Sequence, residues 1–298
     1  MSSLREIKDR IGSVKSTLKI TSAMKLVASS KLRKAQRAIE NLRPYERELD
    51  SILAALKSDG ASAPADLLGV IADAHESSDG DVPEQHTAIV LISSNSSLCG
   101  GFNSNVIRKA AEVLKEEGPV KVFALGRKAA DAMKKAGFVQ DADYSDLIAH
   151  PSYEKASALA GSISKRYLDG EFSKVVLVYN HFVSTSKQVA VSEEYLPFVS
   201  SPAGNGNCGG QEEDVSDFIV EPSAGEVVRT LMPQVLMLKF YAAVLDSAAA
   251  EHAARTIAMQ TATDNAEELL SDLTLEYNKG RQQKITAEIL DLIGGSAE

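Results

Sequence analysis

No proline occurs from Gln234 to Ile293 and no glycine from Glu226 to Lys279. These are the two residues that most weaken helices, so their joint absence over such a span constrains the chain more than any other feature. Within it, apolar and small residues step by fours and threes: Leu231, Val235, Leu238, Ala242, Leu245, Ala249, then Met259, Thr263, Ala266, Leu270, Leu273 and Tyr277. A period near 3.5 is the seam of a coiled coil. Ser223 and Glu226 have the spacing of a capping box just after Pro222, which marks the start, and Pro233 predicts a kink or restart. At 1.5 Å per residue the run would extend roughly 90–105 Å, far more than a globular domain needs. It reads as one half of a two-helix rod.

The other half lies at the opposite end of the chain. Residues 3–57 predict a helix with Leu4, Ile7, Ile11, Val14 and Leu18 on one line. After an apparent shift between Ile20 and Val27 the line resumes at Ala28, Leu32, Ala35, Ile39, Leu42, Leu49, Leu53 and Leu56, with Pro44 as an expected kink. Chain continuity favours folding the two helices back antiparallel. Ten alanines between 242 and 266 allow their axes to approach closely. The second helix is the longer, so its C-terminal end is expected to project alone.

Composition agrees with thin helical packing: aromatic residues are only 5% and Trp is absent. Cys99 and Cys208, the two cysteines, support no disulfide framework or metal cluster, so a reducing compartment is the simplest expectation. The N-terminus lacks the apolar core of a signal peptide, and no unbroken apolar run approaches membrane-spanning length. The net charge of −9 is uneven: residues 1–47 hold twelve Lys and Arg against four Asp and Glu, whereas 229–298 hold six against ten. An acidic partner helix or an acidic protein cavity explains the basic helix. Nucleic acid is the competing explanation, weakened by the absence of aromatic interleaving.

Between the helices the pattern changes twice. Residues 58–86 carry seven acidic and no Lys or Arg residues and read as an acidic spacer, with a short apolar patch at Leu67, Leu68, Val70 and Ile71. From residue 87, continuous apolar runs at Thr87–Ser93, Val120–Leu125 and Lys174–Tyr179 predict buried strands, and Gln188–Tyr195 alternates as an edge strand. Helices are expected near 104–117, 127–135 and 152–168, a brief strand at Phe218–Val220, and Gly- and acid-rich loop over 199–217. The fold class is α+β: a long antiparallel two-helix coiled coil carrying an inserted Rossmann-like α/β domain. The expected divisions are 1–57, 58–86, 87–222 and 223–298.

Leu98 to Asn105 follows a strand and opens a helix, where a phosphate loop sits in a dinucleotide fold. It has neither the glycine spacing nor a phosphate lysine, so a tight turn with Asn103 or Ser104 capping the helix is favoured. Cys99 reads as a buried, inert thiol and Cys208 as exposed in a Gly/Asn loop. The five histidines show no metal spacing, and no carboxylate pair or triad stands out. No catalytic, cofactor-binding or metal residue is assigned. At the expected projecting end, Arg281, Gln282, Thr286 and Glu288 combine with Ile285, Ile289, Leu292 and Ile293 into a surface that is both polar and apolar. Apolar side chains without an intrachain partner point to insertion into another protein.

The motifs then converge. Ile20 through Lys31, Arg43-Pro44-Tyr45, Leu98 through Asn105, Glu221-Pro222-Ser223, Glu251 through Arg255, Met259 through Asn265, Tyr277-Asn278-Lys279, Arg281-Gln282, Ile285-Thr286 and Glu288 occur in the order found in one family. Over essentially its whole length the chain resembles the γ-subunit family of F-type ATP synthases. The resemblance implies a central rotor stalk whose tip turns inside a ring of α and β subunits. Its globular end would bind the ε subunit and the c ring, with one copy per complex, no cofactor and no nucleic acid. It implies contact with β subunits at Met24, Lys25, Arg255, Arg281, Gln282, Thr286 and Glu288. It also implies a peripheral place on the cytoplasmic face of a bacterial inner membrane.

Three departures accompany the resemblance. Asn95, Ser96 and Ser97 stand where the family commonly has a charged Asp-Arg/Lys-Gly. The 58–86 spacer and the 199–217 loop are expanded. The closely spaced regulatory cysteine pair of chloroplast relatives is missing, which argues against thioredoxin control. Two other readings stay open on sequence: a static coiled-coil adapter with a ligand-binding α/β domain, and a basic-helix nucleic-acid binder.

Overall fold

A computed structural model describes residues 4–58, 86–138, 142–198, 220, 221 and 223–295. Most of the acidic spacer, the 199–217 loop with Cys208, and Phe218-Ile219 lie outside the described residues. In chain order the elements are α1 (Leu4–Ser58), β1 (His86–Ile92), α2 (Phe102–Glu116), β2 (Val120–Leu125), α3 (Arg127–Lys135), α4 (Ser145–Ala149), α5 (Tyr153–Leu168), β3 (Phe172–Phe182), β4 (Gln188–Leu196) and α6 (Ala224–Gly295). Pro44 and Pro233 both lie inside helices assigned without interruption. The start of α6 is capped as its sequence predicts on one side: Glu226 N donates to Ser223 Oγ at 3.4 Å.

The chain divides into two compact units, one of Lys31–Ala254 and the other of Met1–Ser30 with Arg255–Glu298.

The larger unit holds a four-stranded sheet in the order β2-β1-β3-β4. β1 pairs in parallel with β2 and β3, so that Ile89 lies opposite both Val122 and Val176. β4 pairs antiparallel with β3 and forms an edge. β1 is buried on both faces, which is why its sequence is continuously apolar. Ala88, Val90 and Ile92 join one cluster with Leu49 and Leu53 of α1, Ala160 and Ile163 of α5, and Leu236 and Phe240 of α6. Ile89 and Leu91 face the opposite way, onto Val106 and Ala110 of α2 and Ala129 and Met133 of α3. The sheet is therefore sandwiched, and the 31–254 parts of the long helices form one of its covers. Polar ties fasten that cover: Tyr195 Oη donates to the Leu236 carbonyl at 2.9 Å, and Lys239 Nζ pairs with Asp50 at 3.3 Å. Further along α6, His181 Nδ1 lies 2.5 Å from Asp246 Oδ2.

By length, and by a mean hydropathy of 1.3 over one 18-residue window, α6 meets the measure of a helix able to cross a membrane, with 44% of that window buried. Counting unbroken apolar runs does not detect this window. The apolar side chains of α6 from Val228 to Ala253 are instead largely taken up by packing in the larger unit.

The smaller unit is built from the first part of α1 and the last part of α6. Ile7 and Thr21 are buried on α1, and Met259, Thr263, Ala266 and Leu273 on α6. The expected shift of the seam between Ile20 and Val27 does not occur. Leu18, Thr21, Lys25 and Ala28 continue the steps of three and four, and Ile20, Leu26 and Val27 are exposed. Reading by hydrophobicity alone misplaced the line because the seam residue is a threonine. Its hydroxyl is satisfied, 3.0 Å from that of Thr263, and each hydroxyl also reaches a carbonyl of its own helix. A buried polar group with its hydrogen bonds made is compatible with an apolar seam.

Candidate partner interface

All seven residues expected to touch a partner fall in the smaller unit. Met24 and Lys25 are half-buried on α1, and Arg255 is half-buried on α6. Lys25 falls on the seam line itself and is half-buried there. Arg281, Gln282, Thr286 and Glu288 are exposed, as is every side chain from 281 to 290. Around Thr286 the contacts are local to the helix. Its hydroxyl donates to the Gln282 carbonyl at 2.9 Å, and Lys284 approaches Glu288 at 3.9 Å. An exposed pair at that distance contributes little, so the tip has polar groups to offer and few contacts to give up.

Apolar groups accompany them. Ile285, Ile289 and Leu292 are exposed as expected, and Leu290 joins them. The side chain of Ile293 lies outside the described residues. The apolar surface on α1 was not foreseen: Ile20, Leu26 and Val27 are 60%, 70% and 58% exposed. The signal lay in the spacing. Ile20 and Val27 are seven residues apart, on one face and between seam positions. On α6, an open helix face runs along Glu267, Leu270, Thr274, Leu275 and Asn278 to Gln282. Exposed apolar residues rimmed by charge in a slender helical unit are the mark of a surface covered by another protein.

The strand-to-helix turn of the larger unit has a different character. Asn103 does not cap α2. The helix starts at Phe102 behind Gly101, with no side-chain cap. Asn103 turns back, accepting from Ser94 N at 3.1 Å and donating to Cys99 Sγ at 3.1 Å. Cys99 is buried and free, within this network and against Phe102 and Ala250. Within this turn Leu98 has a φ of 67°, a left-handed conformation that disfavours side chains. At the carboxyl ends of β1 and β2, where a phosphate would sit against a helix N-terminus, the amides of α3 are already taken. Arg127 N donates to Asn95 Oδ1 at 3.1 Å, Lys128 N to the Ser94 carbonyl at 3.2 Å, and Ala129 N to Ser93 Oγ at 2.8 Å. Gly126, with φ 98°, permits this closure, since a Cβ there would lie 2.4 Å from the Ser93 carbonyl oxygen. A phosphate at the α3 N-terminus would have to displace three internal hydrogen bonds. The residues that in the resembling family carry charge, here Asn95, Ser96 and Ser97, serve this closure through Asn95.

The chain matches the ATP synthase family model over residues 3–297. Among curated relatives it is 47% identical over 306 residues to the ATP synthase gamma chain of Phocaeicola vulgatus, covering 99% of each chain. It is 45% identical to that of Bacteroides thetaiotaomicron over the full length of both, and 39% identical to that of Flavobacterium johnsoniae over 99% of this chain and 98% of the relative. Among solved structures, it resembles a chain of the Euglena gracilis mitochondrial ATP synthase OSCP/F1/c-ring assembly at a TM-score of 0.61 and 19% identity, over 99% of this chain and 93% of that one. It also resembles a chain of the Tetrahymena thermophila mitochondrial central stalk and c ring at a TM-score of 0.55 and 23% identity, over 82% and 99%. Those identities speak to the fold, and the curated relatives speak to descent. By the match of family model and full-length relatives alike, this chain belongs to the ATP synthase gamma chain family.

Proposed function

We propose that the chain is the central rotor stalk of a bacterial F-type ATP synthase, a subunit without catalytic chemistry of its own. It transmits torque between a membrane c ring and a catalytic ring of α and β subunits. The observation that carries this reading is full-length similarity to gamma chains, coupled with a helical unit whose end is exposed and both polar and apolar.

In this reading the N- and C-terminal helices wind as an antiparallel coiled coil. The support is the order of contacts in the smaller unit: Leu4 meets the position of Gly280, and Thr21 meets Thr263. From 4 to 21 and from 263 to 280 the separation is the same, seventeen residues, taken in opposite directions. Two supercoiled helices resist bending and twisting better than one, which suits a torque-bearing part. Residues 87–222 form the Rossmann-like α/β domain, and 1–57 and 223–298 form the two helices. The ε subunit and the c ring bind at the globular end. The complex lies on the cytoplasmic face of the inner membrane.

The mechanism is differential contact. As the stalk turns, it presents different side chains to otherwise equivalent β subunits. Each β is biased among its conformations by the difference in contact free energy. Lys25, Arg255, Arg281, Gln282, Thr286 and Glu288 supply polar contacts, and Met24, Ile285, Ile289 and Leu292 supply apolar ones. ATP binding and release then follow the rotation angle, driven by proton or sodium flow, while bond making and breaking belong to β.

Deletion of residues 281–298 tests the reading in the reassembled complex. The expected result is loss of ion-driven ATP synthesis with assembly retained. Unchanged synthesis would remove the assigned contacts. Micromolar nucleotide binding by the isolated chain would favour a ligand-binding adapter, against which the internally bonded α3 amides argue. Retention on nucleic acid at modest salt would revive the basic-helix alternative.

A further inference from the structure

Between its first and last turns, α6 contains one glycine, Gly280. Glycine is among the poorest helix formers because its backbone loses the most freedom on ordering. Elsewhere such a residue would be an unremarkable weakness. Here it falls where the packing changes. Among the described residues, Gly280 is the last position of α6 that α1 approaches, through Leu4, and every side chain from 281 to 290 is exposed. Two further features weaken the helix just beyond. Exposed side chains bring no tertiary stabilisation, and the Thr286 hydroxyl bonds back to the Gln282 carbonyl, a contact that slightly destabilises and bends helices.

Close approach is the competing reason for a glycine. A Cβ at position 280 would lie 3.0 Å from Leu4 Cδ2. That atom ends a flexible side chain, on an α1 residue only partly buried, and a small rotation would make room. The contact therefore does not demand a glycine.

We propose that Gly280 is a flexible joint in α6, about which the tip from 281 to 295 pivots while the paired helices behind it stay in register. The tip is about 20 Å long at helical rise, so a modest bend moves its end by several ångströms. A glycine keeps the backbone hydrogen bonds of a helix and loosens its bending. Such a joint passes torque along the axis and lets the end stay seated in an uneven socket. This use rests on the rotor reading above, but the joint itself does not.

Hydrogen exchange on the full-length chain tests the joint alone. Gly280→Ala is expected to slow exchange of the amides at 281–290 by roughly five-fold, the difference in helix propensity. Gly12→Ala is the control, since Gly12 lies within α1 with nothing near its Cβ position, and it should leave the tip unchanged. Gly280→Ala combined with Leu4→Ala should slow the tip equally, because it removes the crowded contact. Unchanged tip exchange in Gly280→Ala, or equal slowing by Gly12→Ala, overturns the proposal. In the assembled synthase Gly280→Ala is expected to lower turnover with assembly intact. Slowed exchange with full turnover would overturn the joint's use in rotation. Failure of the rotor reading would show separately, as full ATP synthesis after deletion of 281–298.

Discussion

One helix, α6, packs in two ways. From Val228 to Ala253 it is buried on several sides at once: Leu236 and Phe240 face the sheet core, while Ala249 and Ala253 meet Leu32 and Ala35 of α1. From Met259 to Leu273 a single line of residues is buried, and the rest of the circumference is open. The first stretch serves a folded domain, where most of its faces have a neighbour. The second has a single buried line, and its remaining surface is open. The contrast shows how little apolar area is needed to hold two helices together, and how much surface is then left to change from face to face.

The contrast can be broken by truncation on each side. Phe240→Ala empties a fully buried site in the larger unit and is expected to cost about 3–5 kcal/mol, read as a lowered denaturation midpoint. Leu273→Ala removes a seam residue with open surface beside it, where neighbours can close in. It is expected at the low end of such changes, about 2 kcal/mol, with little effect on the sheet. Equal costs would mean that the two stretches are not packed differently. Tyr195→Phe deletes the bond to the Leu236 carbonyl while keeping the ring, and a loss of about 1 kcal/mol confined to the larger unit is expected.

The smallest effect has the opposite sign. Burial, reinforced by Asp50, raises the Glu46 carboxyl above its ordinary range. A raised folded-state pKa means that the native state binds the proton more tightly than the unfolded chain does. The penalty is present in full above the raised value, and it diminishes as pH falls through that value towards 4.5. Glu46→Gln should therefore raise the denaturation midpoint slightly at neutral pH and flatten its rise on acidification. An unchanged pH profile would show that Glu46 is not under strain. Asp246, raised mainly by burial, contributes with the same sign and would remain in that variant.

Much of this was legible in the chain. The two long helices, the strands and the edge position of β4 follow from periodicity, because period 3.5 and continuous apolar runs each have one economical structural answer. The polar, exposed character of Arg281, Gln282, Thr286 and Glu288 followed from the mismatch in helix lengths. Local pattern failed where long-range contacts decided. α4 is too short to leave a periodic signal. Asn103 has the composition of a cap but spends its amide on Ser94 and Cys99, across the turn.

Sequence alone determined that the ends of this chain are long helices and that an α/β segment lies between them, because helix propensity and apolar spacing are properties of neighbours along the chain. Tertiary structure decided the rest. Thr21 joins the seam because Thr263 meets its hydroxyl from the other end of the sequence, and the α3 amides are closed to a phosphate because Ser93, Ser94 and Asn95 reach them from another strand end. Whether a polar group is satisfied depends on what folding brings beside it, and that is not written in its neighbours.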